Sequence, residues 1–163
     1  AAAASVVAHE VAPACEVIAV QSAASPAGHD SWRAGTLVER PNRTGVAGLA
    51  TGRGFALPQR ILRALLTDFL LVTDEQIADA RRLLAIAAHT LAEGAGAAGL
   101  AALLAHPGRF AGRRVAIVCT GGNADPHELA DLSQLACSAR ARNCFFEASA
   151  FSASLTRLAS PAA

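Results

Sequence analysis

Three short apolar runs, separated by helix-forming stretches, constrain this chain more than anything else in it. They are Glu16-Val17-Ile18-Ala19-Val20, Phe69-Leu70-Leu71-Val72 and Val115-Ala116-Ile117-Val118-Cys119. Continuous runs of this length read as strands buried on both faces, the mark of a parallel sheet. Alternation of such strands with helices predicts an α/β fold: a three-layer parallel sheet with helices on both faces. Residues 1–135 carry this pattern; residues 136–163 lose clean periodicity and read as a poorly structured tail.

The helical stretches have their own signals. Residues 2–13 are Ala-rich and stop at Pro13, which cannot continue the hydrogen-bond ladder. Residues 21–31 have loop chemistry, and a short helix carrying Trp32 is expected around Ser31 to Gly35. Leu57-Pro58 opens a helix through Leu66, with proline where its missing N–H costs little. Thr73 with Gln76 three residues on forms a capping box. The helix behind it reaches about His89, with Ile77, Ala80, Leu83, Leu84 and Ala87 on one face. Residues 93–104 are small and lead into a helix ending near His106-Pro107-Gly108; Asp125-Pro126 starts another through about Leu135. Between them all, residues 40–54 are a long Gly-rich segment, and loops of that length in a compact domain are usually functional.

Composition removes several classes of function. Hydrophobic residues make up 53% of the 163, yet no run approaches the ~20 residues of a membrane helix. Net charge is +1 with scattered Arg, so no nucleic-acid footprint is present. The start lacks the charged and apolar regions of a secretory signal, which makes the cytoplasm the expected compartment. A chain opening at Ala1 without Met is expected to be part of a longer product. It also contains no Lys, so it cannot form an internal Schiff base.

Among the motifs, "CTGGN" at 119–123 follows a strand, where open α/β sheets bind ligands. A Thr hydroxyl there can hydrogen-bond, and glycines let backbone and ligand approach. An ordinary strand-to-helix turn is the competing reading. "EGAGAAG" at 93–99 lacks the preceding strand and the acidic ribose partner of a dinucleotide site. Glu93 beside those small residues is the more interesting group, a carboxylate poised near a ligand or a helix N-terminus. Cys137 and Cys144 are too widely spaced for a usual zinc knuckle, no His pair answers them, and no metal site is expected. The dispersed histidines read as packing or solvated groups, and no G-x-S-x-G elbow exists.

Four stretches in order resemble the C-terminal part of the catalytic domain of pyridoxal-phosphate-dependent threonine dehydratases, the fold type II group that also includes serine racemases. They are "EVIAVQSAASPAGHDSWRAG" (16–35), "TGVAGLATGRGFALPQRILRALLTDFLLVTDEQI" (44–77), "HTLAEGAGAAGLAAL" (89–103) and "GRRVAIVCTGGNAD" (112–125). The likeness covers about residues 5–130. It implies pyridoxal 5'-phosphate as cofactor, an amino-acid substrate and a homo-oligomer. It also implies cofactor-binding positions at Thr120, Gly121, Gly48 and Glu93. Thr120 takes the place of the family's Ser or Thr on the pyridine nitrogen, Gly48 lies beside the ring, and Glu93 opens the helix near the cofactor.

The departures are as informative. The family's Schiff-base Lys and Gly-rich phosphate loop come from upstream sequence, and neither is among these residues. Gln21 and Ala27 stand where many relatives offer cation ligands, and Ala47 replaces an acidic residue common before Gly48. The expectation is therefore about half of an enzyme, inactive alone and prone to associate through an unpaired sheet edge. The rival expectation is a non-catalytic binding module that has lost its lysine.

Overall fold

The computed structural model describes residues 1–124 and 126–133. The elements run α1 (Ala2–Val11), β1 (Ile18–Ser22), α2 (Ala27–Ala34), α3 (Ala56–Leu65), β2 (Asp68–Val72), α4 (Asp74–Ala87), α5 (Gly94–Ala105), the single turn α6 (Pro107–Phe110) and α7 (Pro126–Ser133). A 3-10 turn, Ala47–Leu49, interrupts the loop before α3. The tail expected over residues 136–163, and Cys137 and Cys144 in it, lie outside the described residues.

The three-layer parallel sheet is not what forms. The described chain is predominantly helical, and its sheet has two strands, β1 and β2, paired in parallel from Ile18↔Asp68 to Ser22↔Val72. The third apolar run is the reason. Residues 115–119 belong to no strand, and Val115, Ile117 and Val118 are exposed. A strand exists only through its ladder, and no neighbouring strand among the described residues takes up the amides of this run.

Strand alternation sorts the side chains of the pair into two clusters. Ala19 and Phe69, cross-strand partners, pack with Leu62 of α3, Trp32 of α2 and Ala2 of α1. Val20, Leu70 and Val72 face a second cluster built from Ile77, Ala80 and the alanines of α5. The α4–α5 contact needs small residues: Ala80, Ala97, Ala101 and Ala102 are all at most 2% exposed. In and just after α6, ion pairs from Arg109 to Asp68 (2.9 Å) and Arg113 to Glu16 (2.7 Å) return the chain to the amino ends of the two strands.

Local signals hold with adjustments. The capping box forms: the Thr73 hydroxyl accepts from the Gln76 amide at 3.2 Å, and the Thr73 amide donates to Gln76 Oε1 at 2.9 Å. The helix around Trp32 starts earlier than expected, at Ala27, because the Gln21 side chain accepts from the His29 amide in its first turn (2.9 Å). It ends on Gly35 at φ +72°, the left-handed conformation glycine adopts without strain. Helix α4 ends at Ala87, which is exposed rather than on the buried face, while Arg81 is buried.

Candidate functional site

The Gly-rich segment 40–54 is held as a closed loop whose ends and middle are tied to the carboxyl ends of the strands. Glu39 and Arg53 form an antiparallel bridge, and the Arg40 amide donates to the Gly52 carbonyl at 2.9 Å. Ser25 donates to the Thr51 carbonyl (3.0 Å) and accepts from its amide (3.2 Å). At the end of β2, Asp74 gathers the rest. Its carboxylate accepts from the Ser22 hydroxyl at 2.6 Å, the Thr44 hydroxyl at 2.8 and 2.9 Å, and the Gly45 amide at 2.9 Å. Burial on its own raises the Asp74 pKa, but the bonds from Ser22, Gly45 and Thr44 outweigh it and hold the carboxyl below its ordinary value.

Anchored in this way, the loop delivers Gly48 to the start of α5. A Cβ on Gly48 would lie 2.6 Å from Ala95 Cβ and 3.9 Å from Glu93 Oε1. From the other side comes the Thr-Gly-Gly turn. The Glu93 amide donates to the Gly121 carbonyl at 3.0 Å, and the Glu93 carboxylate lies against Gly121 where a Cβ would stand. Glycine is required at both positions by close approach rather than by backbone conformation. Gly96 and Gly99 serve the same end: a Cβ there would meet the Gly121 carbonyl oxygen at 2.9 Å and Ile117 Cγ2 at 2.7 Å. The small residues of "EGAGAAG" are therefore the bed on which residues 117–121 lie.

Three of the four residues singled out from the sequence, Gly48, Glu93 and Gly121, meet in one place. Thr120 is adjacent in the chain and exposed, and its hydroxyl is bonded to no group among the described residues. The Gln21 side-chain oxygen is taken up within the fold, accepting from the His29 amide. A recess of about 730 Å³ opens elsewhere, between the end of α2 and α3; none of the four residues lines it.

Sequence reasoning missed two groups. Asp74 was legible only as a first-turn acid of α4, although it organises the loop. Arg81 is 5% exposed, its Nε donating to the Ala92 carbonyl at 3.3 Å and its Nη2 to the Glu128 carbonyl at 2.6 Å. The stripe through Ile77, Ala80 and Leu84 passes over position 81, which was the available signal.

Gly48, Glu93 and Gly121 thus form one close-packed junction beside the exposed Thr120. Comparison with known proteins identifies the family. A family model described as "Pyridoxal-phosphate dependent enzyme" matches residues 1–121. An L-threonine ammonia-lyase of Geobacter sulfurreducens is 35% identical over 117 residues, covering 71% of this chain and 29% of that protein. A serine racemase of Schizosaccharomyces pombe is 29% identical over 119 residues, covering 72% of this chain and 37% of that protein. Among solved structures, the threonine deaminase of T.th. superposes with a TM-score of 0.71 at 29% identity, over 76% of this chain and 42% of that one. Threonine deaminase isoform 2 of Solanum lycopersicum, at 21% identity and a TM-score of 0.73, shows the same fold over 84% of this chain and 41% of its own. The chain thus spans well under half the length of these relatives, and it belongs to the fold type II pyridoxal-phosphate-dependent enzyme family, related to threonine ammonia-lyases and serine racemases.

Proposed function

We propose that this chain is the C-terminal part of the catalytic domain of a threonine or serine dehydratase, which converts L-threonine to 2-oxobutanoate and ammonia. The observation that carries this reading is the meeting of Gly48, Glu93 and Gly121 beside the exposed Thr120. Pyridoxal 5'-phosphate, when bound, supplies the electron sink for proton loss at the substrate α-carbon and departure of the β-hydroxyl. Thr120 would hold the ring nitrogen through a neutral hydroxyl, which leaves that nitrogen largely unprotonated and favours β-elimination. Gly48 and Gly121 would keep side-chain bulk away from the ring, and Glu93 would keep a carboxylate at its edge.

No Lys occurs in these 163 residues, so the amine that anchors the cofactor and moves the α-proton must come from outside them. The isolated chain is expected to give no 2-oxoacid from threonine and pyridoxal 5'-phosphate beyond the free-cofactor background; turnover above it would overturn this part of the reading. The same lack of Lys supports a second reading, a non-catalytic module on this fold. The two separate on a pyridoxal 5'-phosphate titration followed by absorbance: saturable binding that Thr120→Ala weakens supports the dehydratase fragment, and no binding supports the module.

A further inference from the structure

A guanidinium as enclosed as Arg81 is rare unless every donor has a purpose. One of its partners precedes Glu93 in the chain, and the other, Glu128, binds the residue that follows it. Nε donates to the carbonyl of Ala92, the residue before Glu93 (3.3 Å). Nη1 lies 3.7 Å from Glu128 Oε1, and Nη2 donates to the Glu128 carbonyl at 2.6 Å. That same Oε1 accepts from the amide of Gly94, the residue after Glu93, at 3.0 Å. The amide of Glu93 itself is taken by Gly121. Three consecutive backbone groups are thus fixed by one buried cation, its counter-ion and the glycine turn.

We infer that Arg81 is a positioning residue for Glu93: with Glu128 it clamps the peptides on both sides and so sets the carboxylate against Gly121 and Gly48. The inference rests on the reading of these residues as one wall of a cofactor site. An Arg suits the task because its rigid planar fork reaches a carbonyl, a second carbonyl and a carboxylate in different directions. A lysine ammonium on a flexible stem cannot hold all three at once.

The test is amide hydrogen exchange on the whole chain, with Arg81→Lys as the main variant and Glu128→Gln as a second that keeps side-chain shape. Both are expected to speed exchange at Glu93 and Gly94 by at least about tenfold while the β1–β2 amides keep their protection. Unchanged exchange at Glu93 and Gly94 overturns the inference, and so does equal loss of protection in the β1–β2 ladder, which marks a merely structural role. If Arg81→Lys does not fold, Glu128→Gln decides by the same two outcomes. A parallel titration with pyridoxal 5'-phosphate is expected to show roughly tenfold weaker binding in both variants. Absence of binding by the unsubstituted chain refutes the cofactor-site reading, whereas the exchange pattern judges the clamp separately.

Discussion

Two segments of this chain share one grammar and end in opposite ways. Leu70-Leu71-Val72-Thr73-Asp74 and Ile117-Val118-Cys119-Thr120-Gly121 are both apolar runs that reach a threonine before a helix. In the first, Val72 is 1% exposed, Thr73 caps α4, and Asp74 binds Ser22, Thr44 and Gly45. In the second, Val118 is 68% exposed, and the run touches α5 through Gly96 and Gly99 with no strand beside it among the described residues. The Thr73 hydroxyl is used inside the fold, whereas that of Thr120 is bonded to no group among the described residues. A strand end becomes scaffold when the chain itself supplies its partners, as Ser22, Thr44 and Gly45 do at the end of β2.

The largest effect that would break the contrast is at Asp74. Asp74→Ala removes the acceptor for two hydroxyls and an amide and should cost about 2–4 kcal/mol in urea unfolding. The same group sets an acid dependence. Because its folded-state pKa lies below the ordinary 3.8, its contribution is complete above about pH 4 and disappears as pH falls through the depressed value. Asp74→Asn should flatten that part of the stability–pH curve.

Gly96→Ala tests the second segment's bed. Helix propensity alone favours Ala by about 1 kcal/mol, but the new Cβ would meet the Gly121 carbonyl oxygen, a backbone atom, at 2.9 Å. A net loss of about 1 kcal/mol in thermal unfolding is expected, with the Glu93–Gly121 hydrogen bond lost first; a net gain would show that the turn moves freely. Thr73→Ala should cost about 1 kcal/mol through loss of the capping box. Thr120→Ala completes the comparison: stability should change by less than about 0.5 kcal/mol, while affinity for pyridoxal 5'-phosphate falls. Equal stability losses for the two threonines would erase the distinction.

Residue by residue, the parts legible in advance are those decided by near neighbours. The Thr73–Gln76 box spans four residues, and the runs that became β1 and β2 carried their β-branched and leucine character openly. The glycines at 48, 96 and 121 were visible as glycines, but not what each had to admit. Asp74 and Arg81 looked like surface charges on a helix, since their partners lie 29 to 52 and 11 to 47 positions away.

The sequence by itself determined where helices can start, which runs are apolar enough to extend, and which chemistry these 163 residues lack, the lysine amine above all. Only the tertiary structure decided that two of three apolar runs pair, that Gly48, Glu93 and Gly121 converge, and that a guanidinium is buried behind them. Propensity and capping act within a turn or two of chain and can be read from it. A ladder or a buried ion pair needs a partner whose position is set by packing of the whole, and that is a property of no local stretch.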